Sequence, residues 1–323
     1  MTKNKKMKIL ANDGIAPIGK INLEKAGFTV VTETVPQNDL IDVINKENYV
    51  GIIVRSATKV RKDIIDACPS LKLIGRGGVG MDNIDVAYAR EKGLHVINTP
   101  ASSSQSVAEL VMAHLFGAVR FLYDANRQMP ANGLNDFNGL KKKYGKGIEL
   151  RGKTMGIIGF GRIGQSVAKY ALGCGMNVVA FDPFMEKATV TLEVANQTVN
   201  VEIKTISLDD LLATADFISL HVPAPKDGSA VLGEKEFDKM KKGVVIANAA
   251  RGGVIDEDVL IANLNSGKVA HACLDVFVNE PTPRQDLLSH PKISLTPHTG
   301  AATEEAQDRI GEELATQVIE LLK

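Results

Sequence analysis

The sequence predicts an α/β chain of two doubly wound parallel-sheet domains with a cleft between them, and three observations predict it. Short β-branched runs alternate with helical segments along most of the length. The alternation breaks at Thr99-Pro100 and resumes as a second series from Thr154. A glycine-rich turn, residues 159–164, joins a strand to a helix at the head of that second series. At 323 residues the chain is long for one domain and comfortable for two.

In the first series the runs predict strands over 7–10, 29–32, 51–54, 72–75 and 95–98, with helices over 19–26, 38–45 and 62–67. The serines of 102–106 offer N-caps for the apolar run 107–116. That run is a candidate interdomain or dimer helix, with an ordinary core helix as its plainer alternative. Residues 132–147 are polar, glycine-rich and lysine-rich and read as a loop. Strands then follow over 155–159, 177–181, 217–221, 244–248, 271–275 and 293–296. Alternating Val190, Leu192, Val199, Val201 and Ile203 around Asn196-Gln197 predict an inserted β-hairpin over 186–206. Thr303 caps a last helix over 304–322, which carries Ala306, Ile310, Leu314, Val318 and Leu321 on one face.

Composition excludes some partners. Lys plus Arg equals Asp plus Glu, 38 each, so no global field recruits nucleic acid or an anionic membrane. No apolar run approaches the roughly 18 residues of a membrane helix. The basic start, residues 1–6, is not followed by a secretory apolar stretch. Cys68, Cys174 and Cys273 are far apart and form neither a disulfide framework nor a metal spacing, so a reducing cytoplasm and no metal are expected.

The turn Gly159-Phe160-Gly161-Arg162-Ile163-Gly164 lies between the strand 155–159 and a helix over 165–172, with Asp182 18 residues after its last glycine. A lone G-x-G-x-x-G is weak evidence; in this setting it reads as a dinucleotide site in a Rossmann-like domain. Gly159 allows the tight turn, Gly161 lets backbone approach the pyrophosphate, and Gly164 lets the helix pack closely. The helix N-terminus favours the diphosphate, Arg162 adds charge, and Ile163 stands in the same turn. Asp182 accepts from the adenosine ribose and repels a 2′-phosphate, and Pro183-Phe184 provides no Arg to receive one, so NAD is expected rather than NADP.

Three segments close later strands, where an open α/β sheet binds ligands: 248–253, 274–281 and 296–300. Reducing a 2-keto acid needs a cation for the carboxylate and carbonyl, a proton donor near neutral pKa, and an acid to orient that donor. Arg251, His298 and Glu280 supply that set. Each alone has a plainer reading as an ion pair, a structural histidine or a turn; their joint occurrence after the glycine turn is the signal.

Residues 159–164, 248–256 (NAARGGVID), 274–281 (LDVFVNEP) and 297–303 (PHTGAAT) resemble the signatures of the D-isomer-specific 2-hydroxyacid dehydrogenases. The resemblance spans nearly the whole chain. It implies Arg251 as substrate binder, Glu280 and His298 as the acid–base pair, Asp275 near the nicotinamide carboxamide with Ala250 also on the cofactor side, and His221-Val222-Pro223 flanking the adenosine. It also implies a discontinuous, flavodoxin-like substrate domain, 1–98 plus 299–323, around an NAD domain, 99–298, and a homodimer or larger homo-oligomer.

Within the family, residues 54–60 and 74–83 are similar to substrate-domain motifs of the phosphoglycerate dehydrogenases. Arg55 and Arg76 follow strands, and two guanidiniums suit a phosphorylated 2-hydroxy acid. Ser56, Gly78 and Val79 stand beside them, with the Gly78 and Val79 amides candidates for the substrate carboxylate. Two alternatives stay open. The arginines pair with acids and the substrate is glyoxylate, hydroxypyruvate or another 2-keto acid, or the chain is an NAD-sensing binding protein. Lys141-Lys142-Lys143 reads either as a solvated face or as a contribution to a neighbouring subunit's phosphate site. The hairpin over 186–206 is longer than the family leads one to expect, and an additional C-terminal serine-sensing domain is not expected.

Overall fold

A computed structural model describes residues 6–323; the basic run 1–5 lies outside the described residues. Of the described residues, those up to Ser104 join Ala301–Lys323 in one compact unit, and Gln105–Gly300 form the other.

The first unit is a five-stranded parallel sheet of β1 (Lys8–Ala11), β2 (Thr29–Val31), β3 (Tyr49–Val54), β4 (Leu73–Arg76) and β5 (His95–Asn98), in the order β2-β1-β3-β4-β5. Its strands feed two cores because successive side chains point to opposite faces. Ile52, Val54 and Ile74 pack with α2 (Leu40–Glu47), α3 (Lys62–Ala67) and α4 (Val86–Glu91). Ile9, Ile53 and Leu73 pack with Leu23 of α1 (Pro17–Lys25) and with Ile310, Leu314 and Val318 of the last helix, Glu304–Leu322. Thr303 caps that helix, its hydroxyl accepting from Ala306 N at 3.2 Å.

The second unit opens with α5 (Ser104–Val119), whose first residue belongs to the first unit, followed by α6 (Leu122–Asn132) and α7 (Phe137–Lys143). Its six parallel strands are β6 (Thr154–Ile158), β7 (Asn177–Phe181), β10 (Phe217–Leu220), β11 (Val244–Asn248), β12 (Val269–Leu274) and β13 (Ile293–Leu295), in the order β13-β12-β11-β10-β6-β7. The chain runs outward from β6 to β7 and then returns to the other side of β6, so the switch point lies between β6 and β10. The hairpin of β8 (Lys187–Val194) and β9 (Gln197–Lys204) is present as expected. It buries Val190 and Ile203 in the core under α8 (Arg162–Gly173).

Two of the helices that the sequence reading lacks show why such segments escape it. Residues 132–147 are not a loop throughout: Asp136 caps α7 by accepting from Gly139 N at 3.1 Å, and Leu140 is buried. One buried residue in a seven-residue helix leaves too little periodicity to read. The six-residue α4, with only Ala89 buried, escapes for the same reason. Among the described residues no single helix is long and apolar enough to cross a membrane.

Candidate active site

The glycine turn follows β6, beside the end of β10. Gly159 has φ +91°, and a Cβ on it would meet His221 O at 2.6 Å and Val222 Cγ1 at 2.7 Å. A Cβ on Gly164 would stand 2.2 Å from Gly159 O, so only glycine lets α8 begin against the turn. Gly161 has open space where its Cβ would be, and Arg162 is exposed and Ile163 half-buried at the first turn of α8. This open cradle before a helix N-terminus fits a diphosphate.

Asp182 follows β7 and braces the turn: its Oδ2 accepts from Phe160 N at 2.8 Å and its Oδ1 from Phe184 N at 2.9 Å. Each oxygen keeps a lone pair for a ribose hydroxyl. Asp182→Ala is therefore expected to weaken NADH binding by about tenfold and to narrow the preference over NADPH, the charge-assisted hydrogen bonds and the repulsion both being lost. Fluorescence titrations with the two nucleotides check it; an unchanged ratio of affinities would remove Asp182 from cofactor choice.

His221, Val222 and exposed Pro223 follow β10. His221 Nε2 lies 2.8 Å from Ser219 Oγ, and burial of the ring pulls the imidazole down to about 3, so it is neutral. Burial pushes the Cys273 thiol of β12 up to about 12, which makes it an inert core residue.

Arg251 follows β11 in a turn held by the buried Asn248, whose Oδ1 accepts from Ala250 N at 3.0 Å and whose Nδ2 donates to Arg251 O at 2.9 Å. Arg251 Nη1 donates to Ala250 O at 2.6 Å. The next residue, Gly252, backs onto the turn after β12: a Cβ there would lie 2.0 Å from Phe277 O.

Glu280 and His298 are brought together from different strand ends. Glu280 Oε2 is 2.8 Å from His298 Nδ1, and Oε1 accepts from Phe277 N at 2.9 Å. With Nδ1–H given to the carboxylate, Nε2 is the ring nitrogen left to exchange a proton. A mostly apolar cavity of about 370 Å³ lies beside the pair, lined by Phe277, Pro281, Pro283, Leu288, Leu295 and Pro297.

His298 has φ +54°, uncommon for a residue with a side chain. Asp275, 2% exposed, holds this turn: Oδ1 accepts from Thr296 Oγ1 at 2.6 Å and Thr299 N at 2.7 Å, and Oδ2 from Gly300 N at 2.9 Å. The carboxylate expected near the cofactor carboxamide thus also holds the loop that carries His298. Asn248 and Thr296 are functional residues that no motif singles out; a polar side chain closing an apolar strand is the signal in the sequence that marks them.

In the first unit Arg55 follows β3 and Arg76 ends β4, and Val54 pairs with Arg76 in the parallel ladder. Asp13 fixes the turn at Arg55, Oδ2 accepting from Arg55 N at 2.6 Å and from Thr58 N at 3.0 Å. Arg55 lines a cavity of about 610 Å³ with Asp13, Gly14, Gly77, Thr303 and Gln307; Arg76 is not part of its lining. Ser56 and Val79 are exposed. The Gly78 amide donates to Arg76 O at 3.0 Å, so it is already engaged within its own turn.

Comparison with known proteins agrees with this geometry. The family model described as D-isomer specific 2-hydroxyacid dehydrogenase, NAD binding domain, matches residues 112–300. Hydroxypyruvate reductase of Thermotoga maritima is 42% identical over 303 residues, 93% of this chain and 93% of that one. D-3-phosphoglycerate dehydrogenase of Archaeoglobus fulgidus is 40% identical over 319 residues, 98% of this chain but 58% of that one, so the chain spans under two thirds of that relative's length. Among solved structures, a glyoxylate reductase from Paecilomyes thermophila superposes with a TM-score of 0.81 at 30% identity, covering 98% of this chain and 96% of that one. A D-lactate dehydrogenase from Aquifex aeolicus, complexed with NAD and lactic acid, gives 0.75 at 28% identity, covering 96% and 94%. A glycine cradle at the sheet's switch point, an Arg after β11 and a Glu–His pair across two later strand ends thus recur in a chain that belongs to the D-isomer specific 2-hydroxyacid dehydrogenases and carries their NAD-binding domain.

Proposed function

We propose that the chain oxidises and reduces a phosphorylated D-2-hydroxy acid with NAD, interconverting 3-phosphoglycerate and 3-phosphohydroxypyruvate. The observation that carries this choice is the placement of two arginines at the carboxyl ends of neighbouring parallel strands, Arg55 just after β3 and Arg76 at the end of β4. A dianionic phosphate repays two such groups; the hydrogen or hydroxyl of a smaller keto acid does not. The 40% identical phosphoglycerate dehydrogenase supports it.

In this reading Arg251 binds the substrate carboxylate and polarises the carbonyl. The nicotinamide, when bound, supplies the hydride that reduces the carbonyl carbon. His298 gives its Nε2 proton to the carbonyl oxygen as negative charge develops there, and takes it back in the oxidation. Glu280, bonded to Nδ1, fixes the tautomer and stabilises the imidazolium.

A second reading, a hydroxypyruvate or glyoxylate reductase, is favoured by the relative that matches over 93% of its own length. Initial-rate NADH oxidation with 3-phosphohydroxypyruvate beside hydroxypyruvate, glyoxylate and 2-oxoglutarate separates the two. A kcat/KM advantage of about two orders of magnitude for the phosphorylated substrate, roughly 3 kcal/mol, supports the first. Arg76→Ala should then erase most of that advantage and leave glyoxylate turnover nearly unchanged. A flat order of substrates, or equal losses in the variant, moves the function to the second.

A further inference from the structure

We propose that His114 is a positioning residue that holds the His298 loop in its working conformation, acting through Thr296 and Asp275; this rests on the acid–base reading of His298. His114 lies in the middle of α5, 7% exposed, and both ring nitrogens are bonded: Nδ1 to Ser294 Oγ at 2.8 Å and Nε2 to Thr296 Oγ1 at 2.9 Å.

The directions of these bonds follow from proton counting. The Thr296 hydroxyl has one proton and donates it to Asp275 Oδ1 at 2.6 Å. Toward His114 it therefore accepts, so Nε2 carries the ring proton. Nδ1 is then an acceptor and takes the Ser294 hydroxyl. The result is a one-way chain from Ser294 through His114 and Thr296 to Asp275, whose oxygens receive the Thr299 and Gly300 amides on the far side of His298. Burial lowers the imidazole, and Asp275, the charged group acting on it, opposes that shift, so the ring works as a neutral donor and acceptor.

A second contact from the same helix points to the same role. Ser106 Oγ donates to Gly300 O at 2.6 Å, eight residues before His114. Helix α5 thus grips the loop at both ends, Thr296 through His114 and Gly300 through Ser106, with His298 and its left-handed backbone between them. Val111 and Leu115, buried beside His114, anchor the helix in the core. A residue held at an unfavoured φ persists only where its surroundings over-determine it, and these two bonds are part of that constraint.

The test compares His114→Leu, which removes both bonds at similar volume, with His114→Gln, which keeps one donor and one acceptor. His114→Leu is expected to lower kcat on the preferred 2-keto acid about tenfold while the NADH dissociation constant changes less than about twofold; His114→Gln should recover kcat to within about threefold of wild type. Thr296→Val should cost as much as His114→Leu, and the double variant no more than either alone, because both cut one chain. Unchanged kcat in His114→Leu, a Gln variant as slow as Leu, or multiplying losses in the double variant would overturn the proposal. Nitrogen-15 NMR of the histidine rings gives a readout without turnover. His114 should show the Nε2-protonated neutral form at pH 7, and the His298 resonances should move in His114→Leu. If the wild type turns over no 2-keto acid, the proposed function fails while these spectra still decide the inference: unmoved His298 resonances reject it.

Discussion

His298→Ala is expected to lower kcat by about a thousandfold and to leave NADH affinity within about threefold of wild type. The imidazole is the group whose free nitrogen faces away from a fixed carboxylate: Glu280 Oε2 takes Nδ1 at 2.8 Å, and Glu280 itself is held by Phe277 N. Removing the ring deletes the proton donor in one direction and the acceptor in the other, with no second histidine in reach of Glu280 among the described residues. The glycine turn and Asp182, which fit the cofactor, lie at the ends of β6 and β7 and share no hydrogen bond with His298. Steady-state rates beside fluorescence titration of NADH separate the two effects. Collapse of nucleotide binding would mean that His298 supports the cofactor, and the acid–base role would have to move elsewhere.

Gly252→Ala should be nearly as damaging, although the residue carries no chemistry. Its new Cβ would stand 2.0 Å from Phe277 O, 2.3 Å from Phe277 C and 2.7 Å from Val278 N, all backbone atoms. Those atoms cannot swing aside as a side-chain tip would. Phe277 N is tied to Glu280 and Val278 N to Glu257 Oε1 at 2.9 Å, so yielding on that side displaces Glu280. Yielding on the other side displaces Arg251, the preceding residue. Overpacking of this kind costs about 1–3 kcal/mol of stability and lowers Tm by several degrees. Either displacement should cut kcat/KM by about a hundredfold, since small misplacements of catalytic groups carry large penalties. Differential scanning calorimetry with kinetics checks both. Wild-type values in the variant would show that the backbone yields freely here and that the two turns need not meet.

What could be read from the sequence follows from what is local. Strands at 95–98, 177–181 and 244–248 and the helix at 62–67 stand where the β-branched runs and the helical period put them, because burial on both faces of a parallel sheet demands continuous apolar runs. The hairpin at 186–206 and the Thr303 cap were legible for the same reason. The helices at Val86–Glu91 and Phe137–Lys143 were not: each buries a single side chain, and a short, mostly polar helix looks like a loop.

The candidate site divides along the same line. Sequence by itself determined the residue types in each motif, Arg251, Glu280, His298 and the glycine turn, because a tight turn or a strand end confers those constraints over a few residues. It also determined that an acid would end the strand at Phe181, where Asp182 now braces the turn. Only the tertiary structure decided that Glu280 meets His298, that Gly252 rests on Phe277, that Asp275 serves the His298 loop, and that His114, read as one more member of an apolar helix, is wired to it. These are contacts between neighbouring strand ends and a helix laid across them, far apart in the chain. Periodicity tells which face of an element is buried, whereas the partner of a buried polar group is set by which ends the sheet order makes adjacent.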